Sequence, residues 1–432
     1  MKISGWNRYP VIDTTPVYAF SHTQLQSLVT HGFKGIARGM GRSYGDSSLA
    51  DSVIDLTTLD YLLDFDHMTG RLRCCAGVTL NDLLNIIVSR GWFMPVTPGT
   101  KYVTVGGAIA SDVHGKNHHL SGSFSDYVLN FKLLIADGSI VTCSRDDNAD
   151  LFYATCGGMG LTGIILEADL RLLSINSAYI HKTTYKAASL MELLELFSIH
   201  HEATYSVAWM DCLRKGKSLG RSLLMLGEHA DIDKQYISKP VSISIPFDMP
   251  GSLLNPLSIS FFNWLYYSLA PVNPDSKLVH LDSFFYPLDV FGEWHRLYGK
   301  RGFLQYQFVI PMAAGLEAIA AILGRIADSQ LGSFLAVLKL FGKGNRNLLS
   351  FPMEGYTLAL DFKIGRNTFE LLDRLDDMVV DYGGKVYLTK DSRMSEKIFK
   401  RGYPLWEDFS AIRQKYGALE VFNSHQSGRL GL

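Results

Sequence analysis

Three glycines interrupt the ten residues Ala37-Arg38-Gly39-Met40-Gly41-Arg42-Ser43-Tyr44-Gly45-Asp46, directly after the strand-like run Gly35-Ile36-Ala37. Glycines so spaced let successive backbone N–H groups converge on an anion, and Arg38, Arg42 and Ser43 stand ready to complete the cradle. The segment predicts a phosphate-binding turn. A second small-residue cluster lies downstream, Thr97-Pro98-Gly99-Thr100 followed by Val105-Gly106-Gly107-Ala108-Ile109-Ala110-Ser111-Asp112. Without side chains in the way, a flat ring or a phosphate can lie against that backbone. It runs on into His114-Gly115-Lys116-Asn117-His118-His119, where no carboxylate stands at helical i+4 spacing, so no metal site is expected.

A third glycine run, Gly158-Met159-Gly160-Leu161-Thr162-Gly163, matches the dinucleotide fingerprint letter for letter. That fingerprint requires a strand before it and a helix after it, so that the pyrophosphate meets a helix N-terminus. Here a predicted helix, Ala149 to Thr155, precedes it and a β-branched strand, Ile164 to Leu170, follows. The Rossmann reading is therefore rejected.

Elsewhere Thr79 caps an amphipathic helix from Leu80 to Arg90 that stops at Gly91. Strands are predicted at Val53 to Leu56 and Arg71 to Ala76. Asp137-Gly138 joins Phe131 to Ile135 and Ile140 to Cys143 in an antiparallel hairpin. At 432 residues the chain exceeds the roughly 250–300 at which one core stops growing, so two domains are expected. Its 41 basic and 42 acidic residues nearly cancel, which disfavours nucleic acid as a partner and makes any phosphate recognition local. Five cysteines without a C-x-x-C pair argue against a disulfide framework, and the N-terminus carries no apolar signal segment. The expected home is cytoplasmic with at most peripheral membrane contact, a periplasmic one being left open. The most apolar stretch, Ile243 to Val272, is broken by prolines and asparagines short of the ~20 apolar residues a spanning helix needs. It reads as core plus loop, or as a mobile apolar flap beside a lipid-bearing substrate.

The glycine segments together resemble the vanillyl-alcohol-oxidase type of FAD-binding fold. Val103 to Ser123, Phe291-Gly292-Glu293-Trp294, Gly302 to Pro311 and Lys390-Asp391-Ser392-Arg393 narrow the resemblance to its decaprenylphosphoryl-β-D-ribose 2′-oxidase branch, nearly end to end. That resemblance implies an α+β fold with an FAD-binding domain made of residues 1–176 and 385–432, and an antiparallel-sheet substrate domain, 177–384, inserted between them. It implies flavin oxidation of the 2′-hydroxyl of a polyprenylphosphoryl ribose, a separate short-chain NAD(P)H-dependent reductase that completes epimerisation to arabinose, and quinone or oxygen as electron acceptor. The branch reads Tyr, Ser, Asn and Cys in its mycobacterial members where this chain has Phe285, Val207, Thr357 and Ala359. Members that tether the flavin covalently carry a histidine where Arg42 stands, so FAD is expected to be non-covalent.

The cofactor contacts expected on this basis are Arg38, Gly39, Met40, Gly41, Arg42, Ser43, Tyr44, Gly45, Pro98, Gly99, Thr100, Val103, Gly106, Gly107, Ala108, Ser111, Asp112, Gly115, Gly160, Gly163, Ile165 and Tyr387. Lys390, Tyr44 and His114 are the expected catalytic residues. A buried lysine can accept the hydroxyl proton or stabilise the reduced flavin as a cation, and a histidine titrates near neutrality. Lys116, Lys339, Gln307, Trp209 and Phe285 are expected to bind substrate, the lysines through phosphate or hydroxyls and Gln307 through sugar hydroxyls. An alditol or aldonolactone oxidase of the same fold is the competing reading, and the apolar stretch speaks against it.

Overall fold

The computed structural model describes residues 1–232, 243–251 and 253–432. Three short parallel strands, β1 (Thr15–Tyr18), β2 (Ile36–Arg38) and β3 (Ser52–Asp55), form a sheet in the order β1-β3-β2. The first glycine segment leaves from the end of β2. A second sheet follows, built from β4 (Leu62–Asp66), β5 (Arg71–Cys75), β6 (Val128–Leu134), β7 (Ile140–Ser144) and β8 (Ile164–Arg171) in the order β7-β6-β8-β5-β4. All its pairings are antiparallel. Gly138 turns the β6–β7 hairpin at φ 87°, a conformation that suits glycine.

Helix α1 (Leu80–Ile87) starts where Thr79 and Asp82 cap each other reciprocally, and it buries Leu80, Leu83, Leu84 and Ile87. Its expected last residues, Val88 to Arg90, tighten into a 3-10 turn that Gly91 ends at φ 80°. Helix α2 (Val105–Ala110) follows Thr104, whose hydroxyl accepts from Gly107 N–H. Helix α3 (Ala149–Thr155) precedes the third glycine run and β8 follows it, the reverse of the Rossmann order.

The larger sheet is antiparallel throughout. It comprises β9 (Tyr179–Ala187), β10 (Tyr205–Met210), β11 (Ser222–His229), β12 (Asp275–His280), β13 (Phe303–Pro311), β14 (Ala336–Phe341), β15 (Gly355–Lys363) and β16 (Lys385–Val386), ordered β12-β9-β11-β10-β14-β15-β13-β16. The period of two decides its faces. Leu304, Tyr306, Phe308 and Ile310 of β13 join Leu358, Leu360 and Phe362 of β15 in a core closed by helices Gly315–Ser329 and Arg366–Asp381. Each fully buried side chain of this kind contributes roughly 1.5–3 kcal/mol, so Phe308→Ala would cost about 3–5 kcal/mol. The opposite face carries Gln305, Gln307, Lys339, Thr357 and Asp361, and it is this polar face that builds the site.

In the stretch Ile243 to Val272, of which Ser252 lies outside the described residues, a helix stands where a loop was expected. Asn255 accepts from Leu257 N–H and Ser258 N–H, Pro256 takes the first helical position, and a helix runs from Pro256 to Leu269. The Asn-Pro pair that reads as a breaker is a helix start, because proline lacks only an N–H that would be unpaired there. Asn263 anchors the helix through Asp211 (3.0 Å), while Leu257, Phe261, Trp264 and Leu269 stay exposed. No helix among the described residues is long and apolar enough to cross a membrane.

Candidate active site

One long cavity runs from the first glycine segment to the polar face of the larger sheet. Its wall gathers Arg38, Gly39, Met40, Gly41, Arg42, Ser43, Tyr44, Pro98, Gly99, Thr100, Val103, Gly106, Gly107, Ser111, Gly160, Gly163, Ile165 and Tyr387, and also His114, Gln307, Lys339 and Lys390. Sequence reasoning missed other wall residues, among them Trp6, Thr104, Leu288, Asp289, Trp294, Gln305 and Thr389.

At the glycine end, no amide N–H from Gly39 to Ser43 donates to a protein group among the described residues, while Tyr44 N–H is taken by Thr389 O (2.9 Å). Gly39 lies so close to α2 that a Cβ there would stand 2.3 Å from Thr104 Oγ1, and one on Gly106 would stand 2.9 Å from Ala76 Cβ. Gly41 and Gly160 adopt φ of 60° and 79°. This run of free amide donors among tightly packed glycines fits a pyrophosphate. Arg38 contributes as a brace, since its guanidinium donates to Ser4 O, Ser48 O and Ser48 Oγ. Arg42 lies with its guanidinium 3.9 Å from the Trp6 ring centroid.

At the other end, His114 is buried, with Nε2 3.0 Å from Gln307 Nε2 and Nδ1 3.2 Å from Lys339 Nζ. Burial, reinforced by Lys339, holds its pKa well below 6.5, so the ring is neutral. A neutral imidazole has one N–H and one lone pair. With Gln307 Nε2 donating to His114 Nε2, the ring proton sits on Nδ1 and is donated to a neutral Lys339; a charged Lys339 donating to Nδ1 requires the Gln307 amide to turn its oxygen toward Nε2–H. Burial pushes Lys339 down to about 8, which leaves both within reach near neutral pH. Gln307 is also held by Thr357 Oγ1 (3.2 Å).

Lys390 follows β16, and its Nζ sits 3.7 Å from the centroid of the Tyr44 ring. Burial pushes its amine down to about 7, against the opposing pull of Asp361. Burial drives the Tyr44 phenol upward, so Tyr44 cannot serve as a base near neutrality. Tyr387 stacks on Phe351 (4.5 Å, 22°) and donates to Ser111 O, tying β16 to the end of α2.

Seven expected residues stand off the cavity wall, each for a visible reason. Asp112 is fully buried and accepts from Ser123 Oγ (2.7 Å), Ser125 N (3.1 Å), Asn345 Nδ2 (2.8 Å), Asn347 Nδ2 (2.9 Å) and Ser350 Oγ (2.5 Å), which makes it a structural knot. Lys116 donates to the carbonyls of Phe284 (2.6 Å) and Phe285 (3.0 Å). Phe285 packs against Phe93 and Tyr205. Trp209 donates to Phe334 O and packs on Tyr266. Gly45 abuts Asp391 O, Gly115 abuts Asn117 Oδ1, and Ala108 is buried inside α2.

Residues 21–144 match the FAD binding domain family, which covers the first glycine segment and the Gly106-Gly107 cluster. The chain is 38% identical over its whole length to decaprenylphosphoryl-β-D-ribose oxidase of Mycolicibacterium smegmatis, covering 97% of that protein. It is 32% identical, over 82% of its length, to the whole of an uncharacterised protein of Streptomyces coelicolor. A shorter likeness, 34% over 112 residues, joins it to human Δ(24)-sterol reductase, covering 26% of this chain and 22% of that one. An α+β FAD-binding fold matched end to end places this chain in the decaprenylphosphoryl-β-D-ribose oxidase family of flavoproteins.

Proposed function

We propose that this protein oxidises the 2′-hydroxyl of a polyprenylphosphoryl-β-D-ribose to the 2-keto sugar. The observation that carries the reading is the convergence of Lys390, Gln307, His114 and Lys339 at one end of a cavity whose other end is a glycine cradle. FAD, when bound, supplies the acceptor for the hydride from C2′. Its pyrophosphate would rest on the amides from Gly39 to Ser43, and its ring against Gly106 and Gly107. With arginine at position 42 in place of a tethering histidine, FAD is held non-covalently.

The hydroxyl proton must leave as the hydride departs, and Lys390, whose amine is partly neutral near pH 7, accepts it. Gln307, oriented by His114 and Thr357, holds sugar hydroxyls. Lys339 supplies the local cation for phosphate that a nearly neutral chain requires. Lys116, Trp209 and Phe285 then shape the substrate side from behind rather than by contact.

In the proposed division, residues 1–176 and 385–432 bind FAD and residues 177–384 bind substrate. Contacts of the C-terminal tail support it: Arg413 donates to Leu161 O (3.0 Å), and Arg429 pairs with both Asp46 and Asp391 (2.8 Å each). Strand β16 continues the larger sheet across the boundary at 384. A short-chain reductase would consume the keto product, quinone or oxygen would reoxidise the flavin, and the protein would work in the cytoplasm with at most peripheral contact with the membrane that holds its substrate. The reading is tested by incubating the FAD-loaded protein with farnesylphosphoryl-β-D-ribose and trapping the product with borodeuteride. Deuterium located at C2′ by mass spectrometry is expected, and a product labelled at any other carbon, or none, refutes it.

A further inference from the structure

Asp361 lies on β15 directly across from Gln305 on β13, with only 2% of its surface exposed. Gln305 Nε2 donates to its Oδ1 (2.6 Å), the Tyr298 hydroxyl approaches its Oδ2 (3.5 Å), and its own N–H donates to Ser333 Oγ (3.2 Å). No cation among the described residues comes within ion-pair distance of it, although an isolated buried carboxylate is costly. Gln305 and Lys390 line the FAD cavity, whereas Asp361 lines a second cavity that opens between it, Tyr298 and the start of the helix at Pro256.

We propose that Asp361 is a positioning residue that sets the charge of Lys390 from behind the cavity wall, through Gln305 and Tyr44, and is itself in proton exchange with solvent through the second cavity. Its carboxylate is the negative charge that favours the protonated amine, opposing both burial and Lys339. Lys363 and Arg366 line the second cavity together with Asp361, and the other ionisable groups around the pair are few. The phenols of Tyr44 and Tyr298 face Asp361, the Cys212 thiol lies beside Tyr298, and Lys339 and His114 face Lys390. Burial raises both phenols and the thiol, so none of them ionises near neutrality, and the pair is left to tune itself. Burial also lifts Asp361 to about 7, the range in which Lys390 titrates, so the two are coupled. An acid placed outside the substrate cavity can lose and regain its proton without competing for the sugar.

The inference rests on Lys390 being the proton acceptor of the proposed oxidation, and it is tested without turnover so that the two fail separately. Competitive acetylation of the FAD-loaded protein across pH, with the Lys390 peptide read by mass spectrometry, reports the amine directly. Removing the negative charge in Asp361→Asn should shift the Lys390 curve toward acid, with the gain in labelling appearing near and above neutrality, where Asp361 is ionised, and vanishing well below it, where Asp361 is already neutral. Asp361→Glu should restore most of the wild-type curve. A role confined to bracing Gln305 and Tyr298 would leave the Asn curve superimposed on wild type, which would overturn the proposal. Should Asp361→Asn not fold, wild type alone decides: coupling spreads the Lys390 titration over a wider pH range than one independent group covers, and a single curve of unit slope would contradict it.

Discussion

Replacing Lys390 by methionine removes the amine while keeping most of the side chain's bulk. The ammonium's contact with the Tyr44 face, 3.7 Å from its centroid, is worth about 0.5–2 kcal/mol by the usual range for such pairs, and among the described residues no hydrogen bond from Nζ is lost with it. Against that loss stands relief of a desolvation strong enough to push the amine down to about 7. Folding stability should therefore change by no more than about 1 kcal/mol. Catalysis should change far more. Loss of a general base costs about 10²–10⁴ in rate, or about 2.7–5.5 kcal/mol. The sign with pH also follows, because the accepting form of Lys390 is neutral. In wild type, flavin reduction should rise with pH through about 7 and level off above it, with coupling to Asp361 spreading the rise over a wider range than one independent group covers. Anaerobic stopped-flow reduction of FAD-loaded Lys390→Met by farnesylphosphoryl ribose measures the rate, with thermal melting as the control. Reduction within a few-fold of wild type, with the same rise through neutrality, would refute the assignment. Loss of FAD would make Lys390 a cofactor ligand instead.

Three further outcomes are expected. Asp112→Ala, which strips the acceptor from five donors, four of them buried, should cost about 3–5 kcal/mol and lower the melting temperature of the apoprotein, whereas an unchanged melt would mean those donors repair themselves. Gly39→Ala drives a methyl against the Thr104 hydroxyl that caps α2, so FAD affinity measured by fluorescence titration should fall by roughly tenfold or more, about 1–3 kcal/mol of overpacking. Acid precipitation of the holoprotein should leave a colourless pellet and free FAD in the supernatant, because arginine at position 42 forms no bond to the flavin ring; a yellow pellet would disprove it.

The parts of this molecule legible in its sequence are those encoded over short spans. The Thr79 cap, the Asp-Gly hairpin and the wrong context of Gly158 to Gly163 each depend on a few neighbouring residues, and each is present in the structure. Gln305 and Asp361 were not legible, because 56 residues separate the two partners and only the β13–β15 register brings them together. Asp112 sits in a glycine run and looks like a ligand. Its donors arrive from residues 123–125 and 345–350, and that approach is a tertiary event no local pattern announces. Lys116 was drawn toward phosphate by its charge, yet two backbone carbonyls already hold it. The helix at Pro256 is illegible for a different reason, since a proline that reads as a breaker in sequence is compatible with a first helical position.

The central claim, oxidation of a lipid-linked ribose, is tested most directly by anaerobic titration of the FAD-loaded protein with farnesylphosphoryl-β-D-ribose alongside free alditols and aldonolactones. Stoichiometric bleaching of the flavin by the lipid-linked ribose alone is the predicted result. Bleaching by a free polyol or lactone with no response to the lipid sugar would contradict it and establish the alditol or aldonolactone oxidase reading in its place.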